Sequence, residues 1–288
     1  MKAQRLVCTA PRRIEVQDYH TGVVPDDGVF VKNLYTAVSV GTEIYNYVHG
    51  AEPSRGVSYP RPTGYCNVGE VLEVGANVED LAPGDLVAGQ GNHASHTVLT
   101  SSYNRVPSAV EPEQAAFTVM AAIALHGVRV SRIHLGESAV VFGLGIVGQL
   151  AAALAHLSGA TPVIGIDLDA FRIQRAINLG CDQVFNVNKV DDLQAEVKRL
   201  CEEDGANVVF EATGKPGVYP QAVALACLGG RVVALGSPRG TVEMDFLQDV
   251  HLREVAILGG HQPKTPDDDH IYYRFYKNRE RDLVLRLM

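Results

Sequence analysis

Residues 139–157, AVVFGLGIVGQLAAALAHL, decide the fold: an apolar run, a turn with glycines at 143, 145 and 148, then an Ala/Leu-rich stretch of helical character. The pattern G-x-G-x-x-G is weak alone, because glycine turns are common. Between an apolar strand and a helix it gains meaning. Gly143 permits the tight turn, Gly145 lets the main chain approach a pyrophosphate, and Gly148 allows close packing of helix on strand. Unpaired N–H groups at the helix start, on Ile146 and Val147, then face the phosphates together with the positive end of the helix dipole. An acid is expected where the next strand ends, and Asp167 stands there, nineteen residues past Gly148. A carboxylate at that point accepts from the adenine-ribose hydroxyls and repels a 2′-phosphate, so NAD(H) is expected in preference to NADP(H). Arg172, one turn later, either stacks on adenine, helps accept a 2′-phosphate, or is a solvated helix arginine.

Downstream, strands and helices alternate as far as about residue 260. Strands are expected at Pro162–Ile166, Gln183–Asn186, Val208–Phe210, Arg231–Leu235 and Val255–Leu258. Helices are expected around Phe171–Leu179, Leu193–Cys201 and Tyr219–Cys227. Such alternation means parallel strands joined by crossover helices, a doubly wound α/β sheet whose ligands bind beyond the strands' carboxyl ends. By that rule Glu211-Ala212-Thr213-Gly214, after the fourth strand, and Gly236-Ser237, after the fifth, line the nicotinamide half of the groove; ordinary turn chemistry is the alternative for both segments.

Upstream the texture differs. Short apolar runs such as Val29–Val31, Gly69–Val74 and Leu86–Ala88 are separated by Pro, Gly and Asp turns, including Pro25-Asp26-Asp27-Gly28 and Pro83-Gly84-Asp85. Many short strands with frequent turns suggest a β-rich, barrel-like domain. Glu111–Val130 is Ala-rich and expected to be helical, with Pro112 in its first turn. The expected division is 1–115, 116–260 and 261–288. Ile271–Met288 reads as a helix without a stop signal, so the chain is expected to be a fragment or an early-terminating variant.

Composition narrows the function classes. The 288 residues are 46% hydrophobic, ample for a packed core, and carry a formal net charge of −8. With a sequence pI of about 5.7, no general nucleic-acid surface is expected. No run of about 18 apolar residues suggests a membrane span, and the first residues lack the pattern of a secretory signal. The five cysteines, Cys8, Cys66, Cys181, Cys201 and Cys227, are scattered and never spaced C-x-x-C. They read as reduced thiols of a cytoplasmic protein.

Further segments carry a family likeness. They are Gly41-Thr42-Glu43, Gly64 to Val71, Val74-Gly75, Pro83 to Val87, Ala124-Leu125-His126 and Gly143 to Gly148. In that order and spacing nearly the whole chain resembles the medium-chain dehydrogenase/reductase superfamily. The resemblance implies an N-terminal GroES-like catalytic barrel, a Rossmann domain, an active site in the cleft between them, and a C-terminal return to the catalytic domain that is here cut short. Residues 65–70 and 92–96 resemble an alcohol dehydrogenase-like branch that includes the bacteriochlorophyllide hydroxyethyl dehydrogenases.

The resemblance also shows what is missing. The catalytic zinc ligands of zinc-dependent relatives correspond to Val40, Tyr65 and the neighbourhood of Val119, and residues 89–100 lack the cysteines of a structural zinc lobe. Valine offers no ligand atom and tyrosine is a poor zinc ligand, so no zinc is expected. Cys66, His93 and His96 are the conceivable substitute ligands, though ordinary structural roles suit them better. Without a metal, hydrogen-bond donors must stabilise the charge developing on the substrate oxygen. The resemblance puts Thr42 in the hydroxyl position of the family's proton relay and Tyr45 beside the nicotinamide ribose. Thr42 and Tyr45 are the expected polarising and proton-transfer groups, with Tyr65 as a second donor; the alternative is that the first two only bond the ribose and Tyr65 fills space. Glu43 is expected to be structural, for example paired with an arginine, and His96 and His126 to be satisfied structural histidines.

The expected activity is hydride transfer between a nicotinamide and a small-molecule alcohol/carbonyl substrate. Reduction of an activated double bond, as in metal-free enone or quinone reductases, is the enzymatic alternative, and cofactor binding without turnover is the non-catalytic one. A homodimer or tetramer is expected through the sheet edge at Val255–Leu258.

Overall fold

The computed structural model describes residues 2–49, 58–101, 103–202, 204–262, 265–266, 270–271 and 275–288. They form two compact units, residues 1–122 with 265–288, and residues 123–264. The division falls within a helix rather than at a linker.

The first unit is antiparallel. Strands β3 (Val29–Thr36), β5 (Asn67–Val74), β6 (Leu86–Gly89), β7 (His96–Leu99) and β8 (Tyr103–Arg105) form a sheet in the order β7-β3-β5-β6-β8. β1 (Lys2–Ala10), β2 (Arg13–His20) and β4 (Arg61–Pro62) form a second sheet, tied to the first region by a bridge between Arg5 and Ala94. Alternating residues fill one core: Val29, Val31, Val71, Leu81, Val87 and Leu99. Helix α1 (Val40–His49) follows β3, and α2 (Pro112–Ala115) starts with Pro112 after Glu111. The Ala-rich stretch 111–130 is not one helix. It breaks at Ala116–Phe117 and resumes as α3 (Thr118–Ser131), where the Thr118 hydroxyl bonds back to the Ala115 carbonyl at 2.7 Å.

The second unit is a six-stranded parallel sheet of order β11-β10-β9-β12-β13-β14. Its strands are β9 (Ala139–Phe142), β10 (Val163–Asp167), β11 (Gln183–Asn186), β12 (Ala206–Glu211), β13 (Ala226–Ala234) and β14 (Ala256–Gly259). Helices α4 (Ile146–Leu157), α5 (Ala170–Ile177), α6 (Leu193–Cys201) and α7 (Tyr219–Leu225) make crossovers. β9 and β10 are buried at every position, as strands covered on both faces must be, which is why they read as unbroken apolar runs. Val140, Phe142, Ile164, Ile166, Val209 and Val232 pack in this core. Strand order reverses between β9 and β12, so the crevice beyond their carboxyl ends is the topological switch point. α7 gives way directly to β13 at Ala226, earlier than the expected strand start at Arg231.

The final helix, α8 (Lys277–Leu287), belongs to the first unit and begins at Lys277 rather than Ile271. Asn104 Nδ2 donates to the Asn278 carbonyl at 2.9 Å and an Arg281 guanidinium N–H to Gln90 Oε1 at 3.1 Å. Among the described residues no helix is long and apolar enough to cross a membrane. All five cysteines are thiols, with no disulfide between them.

Candidate active site

In the second unit, the sequence-selected glycines meet at the switch point. Gly143 has φ +87°, and a Cβ there would lie 2.8 Å from the Thr213 side chain and 2.9 Å from its nitrogen. Gly148 is packed so closely that a Cβ would fall 1.8 Å from the Gly143 carbonyl oxygen. Gly145 differs: nothing lies within 4 Å of its Cβ position, and it caps α4 with no side-chain hydrogen bond. The first-turn amides, including those of Ile146 and Val147, therefore receive no N-cap side chain and are donors a ligand can use. This open, uncapped helix end above two tightly packed glycines fits a dinucleotide pyrophosphate.

Asp167 ends β10 and is buried. Its Oδ2 accepts from Leu144 N–H at 2.6 Å; its Oδ1 accepts from Leu168 and Asp169 N–H at 2.7 and 2.9 Å. A carboxylate has about four lone-pair sites, so capacity remains for a ribose hydroxyl. The Leu144 bond was not foreseeable from spacing alone; it lets one carboxylate hold the glycine turn. Arg172 Nη1 lies 3.7 Å from Asp167 Oδ2, with a side chain 47% exposed.

The two later loops pack against the first. Ala212 N–H donates to the Phe142 carbonyl at 2.8 Å, and Gly236 N–H to the Glu211 carbonyl at 2.6 Å. A Cβ on Gly236 would lie 2.4 Å from Gly214 nitrogen, and Gly214, at φ +68°, lies against the Ser237 main chain. Thus Gly143, Ala212, Thr213, Gly236 and Ser237 come together beyond three neighbouring strand ends. Glu211, the first residue of the expected 211–214 segment, holds this arrangement. It is 0% exposed, and its carboxylate accepts from the Thr213 hydroxyl, from Thr213 N–H at 2.8 Å and from Gly214 N–H at 3.2 Å. Burial pushes the Glu211 carboxyl above its usual range; donors from Thr213, Gly214 and Tyr219 pull the other way. An acid closing the apolar run Val208-Val209-Phe210 before Thr-Gly was the available signal.

In the first unit, Thr42 and Tyr45 lie on α1, three residues apart. Tyr65 precedes β5. The Tyr65 hydroxyl donates to Ser39 Oγ at 2.5 Å. Burial raises its pKa, against hydrogen bonds from Ser39 and Thr42 that lower it. So Thr42, Tyr65 and Ser39 share one hydroxyl cluster. Tyr45 makes its ring contact with His49, centroids 4.7 Å apart.

Glu43 takes a histidine, not an arginine, as partner: its Oε2 lies 2.8 Å from His93 Nε2, while its Oε1 accepts from Ser39 N–H at 2.8 Å. His96 is elsewhere, stacked on Phe30 at 5.6 Å between centroids.

The positions corresponding to zinc ligands are poor in donors. Val40 starts α1 and is 45% exposed, and Val119 is buried in α3. Burial, with Glu43 adding to it, pushes the Cys66 thiol up to about 12, and the residue is fully buried beside Tyr65. Among the described residues no three His, Cys, Asp or Glu side chains converge as metal ligands. Valine at two of the three positions corresponding to zinc ligands offers a zinc ion no ligand atom.

Comparison with known proteins agrees with the fold. Residues 147–269 match the family model "Zinc-binding dehydrogenase", a stretch that starts inside α4 and omits positions 40, 65 and 119. Escherichia coli D-guloside 3-dehydrogenase is 27% identical over 312 residues, covering 99% of this chain and 88% of the relative. Sorbitol dehydrogenase 2 of Saccharomyces cerevisiae is 27% identical over 271 residues, 81% of this chain and 76% of the relative. Along nearly its whole length the chain is similar to alcohol dehydrogenase-like members of the medium-chain dehydrogenase/reductase superfamily. It is an NAD(P)-dependent dehydrogenase by class. The fold of this dehydrogenase also matches 2R,3R-butanediol dehydrogenase from Bacillus subtilis, with TM-score 0.81 and 23% identity over 99% of this chain and 88% of that one. A Sinorhizobium meliloti protein described as a zinc-binding dehydrogenase and bound to NADP matches with TM-score 0.84 and 24% identity, over 99% and 89% of the two chains.

Proposed function

We propose that this dehydrogenase binds NAD(H), with NADP(H) the weaker cofactor, and transfers hydride between the nicotinamide and an alcohol/carbonyl pair without a catalytic zinc. The open helix end at Gly145 carries the proposal. Gly143, Gly145, Ile146, Val147 and Gly148 would hold the pyrophosphate. Asp167 would hold the adenine ribose, with Arg172 beside it. Ala212, Thr213, Gly236 and Ser237 would line the nicotinamide side. A bound nicotinamide supplies or accepts the hydride. Asp167, with Asp169 two residues on, puts negative charge where a 2′-phosphate would sit, which favours the unphosphorylated cofactor.

Proton handling falls to the first unit. Thr42 and Tyr65 supply hydroxyls to the substrate oxygen, and Tyr45, on the same helix, bonds the ribose or the relay. The donor set at residues 40, 65 and 119 supports a route without zinc. The named relatives act on polyols and related secondary alcohols, so such substrates and their ketones come first in a substrate panel.

The test titrates NADH and NADPH by fluorescence and assays a panel of polyols, simple ketones and enones. We expect micromolar NADH binding, weaker NADPH binding, loss of NADH affinity in Asp167→Ala, and turnover of carbonyls rather than enones. No NADH binding would remove the proposal, as would stoichiometric zinc needed for turnover. The five thiols support a cytoplasmic location. We also propose a homodimer or tetramer through edge strand β14, whose Ile257 is 40% exposed; a monomer at micromolar concentration in sedimentation would contradict this.

A further inference from the structure

Tyr65 cannot act alone. Its hydroxyl hydrogen is already given to Ser39 Oγ, so a proton passed to a substrate oxygen must leave a phenolate that something else satisfies. A serine hydroxyl suits that need, because it accepts in one rotamer and donates in another. Ser39 lies in the turn between β3 and α1, only 8% exposed.

Its main chain is held twice by one residue: Ser39 N–H donates to Glu43 Oε1 at 2.8 Å, and Glu43 N–H donates to the Ser39 carbonyl at 2.9 Å. Glu43 Oε2 is 2.8 Å from His93 Nε2, and His93 Nδ1 is 2.8 Å from Thr36 Oγ1 at the end of β3. His93 is itself 7% exposed, and its N–H donates to the Thr63 carbonyl at 2.8 Å. The turn before Tyr65 rests on the same imidazole. Gly64 has φ +80°, and a Cβ there would meet the His93 ring and nitrogen at 2.7 Å. One Glu–His pair, its histidine buried and its carboxylate half-buried, therefore fixes both partners of the Tyr65–Ser39 hydrogen bond, across residues far apart in sequence.

We propose that Ser39 is a positioning residue for proton transfer, its hydroxyl reversing the hydrogen bond with Tyr65 while the Glu43–His93 pair holds the two hydroxyls in register. When a substrate oxygen takes the Tyr65 proton, the O–H bond of Tyr65 breaks and the phenolate oxygen keeps the electron pair. Ser39 then turns its own O–H toward that oxygen, and a hydronium ion from solvent returns the proton to Tyr65, leaving water. In the oxidising direction the sequence runs backward. The inference rests on the roles proposed above for Thr42 and Tyr65.

The test uses the full chain loaded with NADH, in single turnover against the best carbonyl of the panel, including 2,3-butanedione. Ser39→Ala is expected to lower the turnover rate about tenfold with unchanged KM and NADH affinity. Ser39→Thr is expected to recover most of the rate. Ser39→Cys, nearly the same size but a poor donor, is expected to resemble Ser39→Ala and serves if the alanine variant misfolds. His93→Gln is expected to fall between. Wild-type rates in folded Ser39→Ala and Ser39→Cys would overturn the inference while leaving the functional reading intact, provided Tyr65→Phe or Thr42→Val is slow. Full rates in both of those, or a panel without turnover, would remove the functional reading and this inference with it.

Discussion

Helices α4 and α5 each follow a parallel strand of the same sheet, yet they finish their first turns in opposite ways. α5 is closed by its own sequence: Asp169 accepts from Phe171 N–H at 2.9 Å and Arg172 N–H at 3.1 Å. α6 is closed similarly, by Asp192 on Ala195 N–H at 2.9 Å. α4 has Gly145 at the equivalent place, with no capping side chain and empty space in front. A side-chain cap contributes about 1 kcal/mol relative to alanine, and glycine gives up only a few tenths of that. The dehydrogenase thus forgoes a modest stabilisation at one helix end and keeps there a set of main-chain donors. α2, α7 and α8 also lack a side-chain cap, so the difference teaches that a ligand is to be sought where a missing cap coincides with open space, as at Gly145.

The most severe way to break the contrast is Gly148→Val. Its Cβ would fall on the Gly143 carbonyl, a main-chain atom that cannot step aside, and overpacking of this kind costs about 3 kcal/mol. Urea unfolding should show that loss; an unchanged midpoint would mean the turn is looser than described. Gly145→Asp makes α4 resemble α5. NADH affinity should fall about 100-fold, equivalent to about 2.7 kcal/mol, while the melting temperature holds or rises slightly. Undiminished affinity would place the phosphates elsewhere. The reciprocal change, Asp169→Ala, should cost about 1 kcal/mol of stability and move NADH affinity less than about twofold, again by urea melts and fluorescence titration.

The smallest effect concerns the frame around both turns. Burial works to raise the Glu137 carboxyl, but the Arg231 guanidinium at 2.6 Å and His134 N–H at 2.8 Å outweigh it and hold the pKa below 4.5. A depressed acid contributes stability above its unfolded pKa and loses it as pH falls through the folded value. Glu137→Gln should therefore flatten the stability loss below about pH 4.5 without changing NADH affinity at pH 7. An identical acid limb in both proteins would show that the ion pair does not contribute.

The parallel-sheet half of the fold was legible because its signals are local. Gly143, Gly145, Gly148 and Asp167 lie within one strand–turn–helix–strand segment, and buried parallel strands announce themselves as apolar runs. What spacing could not supply was the bond from Leu144 N–H to Asp167, or the way Glu211 binds its own loop, since both depend on where strand ends meet. The first unit was harder. Glu43 and His93 sit fifty positions apart in sequence and touch only because β3 and the segment before β7 are neighbours, so nothing in either segment names the other. Ser39 carried no motif at all. The break at Ala116–Phe117 escaped notice because an Ala-rich run has high helix propensity throughout, and tertiary packing overrode it.

The first unit is assembled from residues 1–122 and 265–288, and α8 brings Val284 and Leu285 into its interior with Arg281. On the ribosome, the antiparallel strands of that unit emerge well before the helix that covers them exists. A nascent chain paused after residue 264 has everything needed for its parallel sheet but leaves apolar surface bare on its earliest-made part. Chaperone capture or proteolysis during synthesis should concentrate on that interval.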